Sequence, residues 1–302
     1  MTAIVIASFA GACGSTGDSG HFSAGLVDIG GGRKINMECD GVGAPTVLLV
    51  SGKGNRADTW STEVADPLTP GARVLNPDAS VFHQVARFTR VCAYDRPATV
   101  SVDDQPTRSD AVNHPVTAQE GVDDLRALLA ASATPGPYVV VGHSYGGLIA
   151  RLFASTHPDS VTGLVLEDAL SEGLYAGLTP AQQEIIEALN SLPEPVYTVR
   201  SFAQVVAAPP VRAMPMVILT ADLPVISAKD VASGVFPPAV TVEFIDALWS
   251  AQLAAQAALA KLFPNATHIT NTHSHHYIHV EQPKLVIDSI RNVVEDVRRA
   301  TP

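Results

Sequence analysis

The sequence predicts an α/β fold: a doubly wound, mostly parallel sheet of about eight strands with a small helical cap. Three observations lead there. Short, continuously apolar runs alternate with segments of helical period along most of the 302 residues. One alternation, over residues 137–154, passes from a β-branched run into a helix through Gly142-His143-Ser144-Tyr145-Gly146. Between two later strands, residues 171–213 form a stretch much longer than one crossover helix requires, so part of it must lie over the sheet edge.

Taken in order, residues 25–29 and 33–39 read as antiparallel strands joined by Gly30-Gly31-Gly32. Residues 46–50 are an unbroken apolar run of the kind buried on both faces, stopped by Ser51-Gly52-Lys53-Gly54. Residues 81–88 make a short amphipathic helix, and the strand over 90–94 ends in Asp95-Arg96-Pro97. Residues 98–115 are polar and proline-bearing, a long surface loop. The helix expected over 118–131 sets Val122, Leu125, Leu128 and Leu129 on one side, with acids in its first turns. After the Ser144 junction come strands over 161–166 and 216–220, then a short one near 268–270. Within 171–213, helices over about 180–192 and 199–207 flank Pro193-Glu194-Pro195 and form the expected cap. Residues 241–263 make a long Ala/Leu-rich helix expected to pack on the sheet, and 283–298 the closing amphipathic helix.

Composition bounds the function. A hydrophobic fraction of 46% and a charged fraction of 16% are those of a well-packed globular chain with one large core. The net charge of −11 opposes docking on nucleic acid or an anionic membrane. Residues 1–20 are set apart from the folded domain expected over 21–302. A short apolar run leads to Ala10-Gly11-Ala12-Cys13 and then a Gly/Ser/Thr/Asp linker. This pattern predicts export, with Cys13 as a lipidated N-terminus in the cell envelope or free secretion as the other outcome. It lacks a basic start and has Ala10 where Leu is usual; a start site set too far downstream accounts for the first departure. Setting Cys13 aside leaves Cys39 and Cys92 on strands expected to be neighbours. They form either a disulfide or two buried thiols.

The Ser144 motif carries the chemistry. Gly-x-Ser-x-Gly alone arises by chance in about one chain in ten of this length; the strand before it and the helix after it make it a nucleophile elbow. The sharp turn lifts the Ser144 hydroxyl above the sheet edge. A serine hydroxyl is a weak nucleophile at neutral pH and needs a base, itself oriented by a third group. Residues 272–279, after the last strand, hold four of the chain's 10 histidines. Of these His276 is the best-placed base, just before the closing helix. A dense histidine cluster also raises a metal site, but no HExxH-type spacing is present, and neither metal nor cofactor is expected. Acyl transfer builds charge on a carbonyl oxygen. Backbone N–H groups of Tyr145, after the nucleophile, and Lys53, after the third strand, would face it. The Lys53 side chain itself reads as a solvated surface amine.

With these residues in place, the chain resembles the α/β-hydrolases, in particular exported actinobacterial hydrolases of esterase/lipase and proline-iminopeptidase-like type. The resemblance runs over about residues 26–297. It is carried by Val50-Ser51-Gly52-Lys53-Gly54, Tyr94-Asp95-Arg96-Pro97, residues 142–147, Leu164-Val165-Leu166-Glu167-Asp168-Ala169, and His276-Tyr277-Ile278-His279 ahead of Glu281-Gln282-Pro283. It implies an ester-cleaving serine hydrolase with nucleophile Ser144, base His276 and a small-molecule ester substrate. A prolyl-aminopeptidase or a cofactor-free haloperoxidase would use the same residues, and a non-catalytic binding scaffold belongs to a different class. The peptidase needs cap carboxylates, for which Glu172, Glu184, Glu187 and Glu194 are available. Two departures stand out: Ser51 occupies the usual histidine position, and Arg96-Pro97-Ala98-Thr99 replaces a glycine-bearing turn. For the acid, Asp168 and Asp222 both close strands after the nucleophile. Asp168 is the first choice and Asp222 the second.

Overall fold

The structure, a computed structural model, describes residues 23–61, 77–101, 105–189 and 193–300. The expected leader, with Cys13, lies outside these residues, as does the end of the helix expected over 180–192. Eight strands form one sheet: β1 (Ser23–Gly30), β2 (Arg33–Asp40), β3 (Thr46–Val50), β4 (Val91–Tyr94), β5 (Tyr138–His143), β6 (Val161–Glu167), β7 (Met216–Leu219) and β8 (Thr267–Ile269). Their order is β1-β2-β4-β3-β5-β6-β7-β8. β2 runs antiparallel to both neighbours; every pair from β4 to β8 is parallel. The apolar runs read as two-faced strands are so: Leu48, Val50 and Val140 enter one core, and Val47, Leu49, Val139 and Val141 the other.

α2 (Ala118–Ala131) and α3 (Tyr145–Thr156) cover the first face, while α1 (Val81–Ala86) and α10 (Pro283–Ala300) cover the second. A capping box at Thr117 and Glu120 starts α2, satisfying backbone N–H groups that have no partner within the helix. Cys39 and Cys92 are directly paired across β2 and β4 and form a disulfide.

The inserted stretch holds α4 (Gly173–Ala176), α5 (Pro180–Leu189) and α6 (Thr198–Ala207). They do not behave as one lid. α6 is docked on the body: Val116 N donates to Pro195 O at 3.1 Å, Tyr197 N to Val116 O at 2.9 Å, and Ala118 N to Ser201 Oγ at 3.0 Å. α4 and α5 instead share a third apolar cluster with α8 (Val242–Leu262) and the segment bearing α7 (Ala228–Ala232). This corrects the expectation for the long helix. Only its C-terminal part reaches the sheet core through Leu259; Phe244, Ile245, Ala251 and Ala255 pack with the cap. α9 (Ile278–Glu281) completes the fold.

Candidate active site

Ser144 sits between β5 and α3 with φ of 51°, a left-handed conformation that a non-glycine residue adopts only when its surroundings enforce it. The flanking glycines are required by contact: a Cβ on Gly142 would lie 2.7 Å from Gly146 O, and one on Gly146 2.2 Å from Val50 O. Asp168, the residue just past β6, is likewise at φ 37°.

Asp168 Oδ2 lies 2.6 Å from His276 Nδ1. Its other oxygen accepts from Ala221 N and from Gln252 Nε2 of α8, both at 3.3 Å. Asp222 is elsewhere engaged. It accepts Ser274 N at 3.0 Å and Thr272 Oγ1 at 3.3 Å, and so pins the backbone of the loop that carries His276. Desolvation pushes its carboxyl up, but these hydrogen bonds, with those from the backbone of His273 and of Asp222 itself, together outweigh it and hold the group below the usual carboxylate range.

Behind His276 lies a buried polar group. Glu167 Oε1 accepts both the backbone N–H of His279 at 2.7 Å and its Nδ1 at 2.6 Å. His279 Nε2 is 3.2 Å from Thr59 Oγ1. His143 Nε2 is 2.9 Å from the His276 carbonyl oxygen, which only accepts, so this nitrogen carries the ring proton. Burial first, then His276 and His279, hold His143 well below the usual histidine value, and it stays neutral. The residues immediately before Ser144 and Asp168 thus tie down the His276 loop. His143, Glu167 and His279 also bring ligand-type atoms within 4.8 Å of one another. Both ring N–H groups there are already given to fixed acceptors, which speaks for a bracing role.

A cavity of about 210 Å³ opens over these groups, lined by Ser144, Tyr145, Asp168, His276 and Lys53 with a mostly apolar remainder from the cap and α8. The Lys53 expectation needs correcting at the side chain. It is half-buried and lines this cavity, and desolvation lowers its pKa against the pull of Glu194. Tyr145 is buried, its hydroxyl 3.2 Å from Ser201 Oγ of α6. At the position where histidine is usual, Ser51 Oγ accepts from Trp60 Nε1 and donates to Arg56 O, each at 3.0 Å. The glycine-free turn is accommodated by Ala98 at φ 62°.

The family profile for the alpha/beta hydrolase fold matches residues 45–213, from β3 through the cap. The chain belongs to the α/β-hydrolase fold family. Among curated proteins it is 26% identical over 185 residues to the probable transporter efuK of Hormonema carpetanum, covering 60% of this chain and 23% of that one. It is 48% identical over 54 residues to lipase LipV of Mycobacterium tuberculosis, covering 18% and 20%. The chain spans between 13% and 39% of the length of the curated relatives it matches. A thermophilic esterase from Thermogutta terrifontis superposes with a TM-score of 0.55 at 18% identity, covering 91% of this chain and 99% of the other.

Within this α/β-hydrolase fold, several residues at the site carried no sequence signal of their own. Gln252 is one polar residue in an Ala/Leu-rich helix, and its 84-residue separation from Asp168 hides the contact. Glu167 and His279 lie within quoted motifs, but their pairing spans 112 positions and has no sign in either motif. Arg96 lies in a turn motif and Glu194 among the cap carboxylates available to a substrate ammonium, and nothing in the sequence pairs them; both are buried.

Proposed function

We propose that the protein is a serine hydrolase cleaving carboxylic esters through an acyl-enzyme. Ser144 attacks the ester carbonyl while His276 takes its proton and later returns it to the leaving alcohol. Asp168 holds His276 in the tautomer with Nδ1 protonated and stabilises the imidazolium. The backbone N–H groups of Tyr145 and Lys53 face the developing oxyanion. Water then releases the acid. The observation that carries this reading is the 2.6 Å Asp168–His276 contact at a cavity that Ser144 also lines. The esterase and lipase names among the relatives agree with it.

The cavity disfavours the prolyl-aminopeptidase reading, which needs a carboxylate to fix a substrate ammonium. Among the described lining residues Asp168 is the only carboxylate, and it faces His276. Glu172 is paired with Arg151, Glu194 with Arg96, Glu187 bonds the Tyr175 hydroxyl, and Glu184 is exposed. The Cys39–Cys92 disulfide supports the exported location, since such bonds persist in oxidising compartments.

The test is Ser144→Ala. The purified variant should lose p-nitrophenyl butyrate turnover and labelling by a fluorophosphonate probe, with an unchanged melting curve. Turnover at the parent rate would sink the assignment.

A further inference from the structure

A buried ion pair runs from the sheet edge to the cap directly behind residues 51–54. Arg96, past the end of β4, is 3% exposed, and Glu194, between α5 and α6, is 0% exposed. Arg96 Nε donates to Glu194 Oε1 at 2.8 Å and Nη2 to Oε2 at 2.9 Å. The same guanidinium donates from Nη1 to Ser51 O at 2.8 Å and from Nη2 to Gly52 O at 2.7 Å. Glu194 Oε2 accepts the Gly54 N–H at 2.7 Å. One ion pair thereby holds the Ser51 and Gly52 carbonyls and the Gly54 amide.

Two glycines of this loop are packed too closely against neighbours for a side chain. A Cβ on Gly52 would meet His143 Nδ1 at 2.6 Å. Gly54 is at φ +78°, with Pro193 Cγ 3.0 Å from where its Cβ would be. A buried ion pair adds little stability over a well-packed apolar pair, so its presence here calls for a geometric account. A trans peptide supplies one. Its C=O and the following N–H point in opposite directions. With Gly52 O turned to Arg96, the Lys53 N–H is turned the other way.

We propose that the Arg96–Glu194 pair is the latch of the oxyanion hole. It fixes the Gly52–Lys53 peptide with the Lys53 N–H facing the cavity where Ser144 works. Because Glu194 sits in the segment docked on Val116, the hole is complete only when that segment is in place. Arg96 and Glu194 are positioning residues, acting through the Lys53 amide. The inference rests on the serine-hydrolase reading.

The experiment compares the parent with Glu194→Gln, which keeps the shape but removes the charge holding Arg96. Steady-state p-nitrophenyl butyrate kinetics are measured beside inhibition by an alkyl trifluoromethyl ketone, whose adduct places an oxyanion in the hole. Loss of one oxyanion donor costs about 10²–10³-fold in kcat; a loosened donor should cost about 10- to 100-fold. KM should stay within about twofold, and the ketone inhibition constant should rise in step with the fall in kcat. A folded Glu194→Gln with parent kcat and parent ketone affinity overturns the latch alone. So does a rise in KM at constant kcat, which would make Glu194 a pocket-wall residue. If Glu194→Gln does not melt cooperatively, the double variant Arg96→Met/Glu194→Leu removes the buried charges together, a change such sites tolerate. Folded, it should show the same kcat loss, and parent kcat would overturn the proposal. A parent protein inert to both ester and fluorophosphonate overturns the hydrolase reading, and the latch with it.

Discussion

Two aspartates close neighbouring strands on the same side of the sheet, and only their partners separate them. Asp168 spends one oxygen on the His276 ring and shares the other between Ala221 N and Gln252. Asp222 spends Oδ1 on the backbone and hydroxyl of the loop that carries His276. Their asparagine variants should therefore fail differently. Asp168→Asn presents an amide to the ring and stabilises the wrong tautomer, so kcat should fall by about 10⁴-fold with the melting temperature little changed. Asp222→Asn keeps the ring partner but weakens the loop, so kcat should fall by less than about tenfold, with the larger effect on melting. Steady-state kinetics and thermal melts of both variants check this, and the larger kcat loss in Asp222→Asn would reverse the assignment. Sequence could rank these two residues but not separate them. Strand ends are visible as the stops of apolar runs, whereas which carboxylate meets a ring 108 positions away depends on backbone direction. Asp168 takes that direction from its left-handed φ of 37°, for which an aspartate gives no local sign.

At the scale of elements, the antiparallel edge is the part of the sheet that the alternation of strand and helix does not explain. β1 and β2 have no crossover helix tying them to the body; they are held by the β2–β4 ladder with its Cys39–Cys92 bridge, by the Arg33–Asp124 pair to α2, and by Ile35 and Met37 in the first core. The bridge closes a loop of 53 residues, which restricts the unfolded chain. Replacing both cysteines by alanine should lower stability by about 2–4 kcal/mol. Denaturant titration of the double variant against the parent measures it; a difference below about 0.5 kcal/mol would show that the ladder, the Arg33–Asp124 pair and the shared core hold the edge without the bridge. Most elements were legible because each has a single environment. β3 and β5 are mostly apolar, buried at every position, and lie between two layers. α2 carries one apolar face and a capping box, and its bounds coincide with the periodic segment. α8 is ambiguous in sequence for the opposite reason. It serves two environments, the sheet at Leu259 and the cap at Phe244 and Ile245, so its apolar residues circle the helix and name neither. α6 was grouped with the cap by sequence position, yet its backbone and side-chain contacts with residues 116–119 place it on the body.

The whole molecule encloses its site between three parts that are distant in sequence: the sheet edge with Ser144 and His276, the inserted stretch with Leu174, Ile186 and Val196, and α8 with Ile245, Leu248 and Trp249. No one of these parts makes a pocket, which is why the sequence alone does not set its size. The cavity of about 210 Å³, partly open to solvent, is below the ≈ 300–1,000 Å³ of sites that hold drug-sized ligands. The apolar lining favours an alkyl group through its burial, at about 0.8 kcal/mol per methylene, only as long as the chain still fits inside. Past that length each added methylene stays in water or forces the cap cluster of α4, α5 and α8 apart, disrupting contacts packed to interior density. A series of p-nitrophenyl esters should therefore show kcat/KM rising from acetate to about butyrate or hexanoate, then falling by more than about tenfold at C12. Exchanging Ile245 for alanine should move the maximum to longer chains while leaving Ser144 labelling unchanged, because Ile245 lines the cavity as part of the apolar cap cluster and carries no reacting group. A maximum at C12 or beyond in the parent protein would mean that the cap opens for substrate and that the closed volume does not set the chain length.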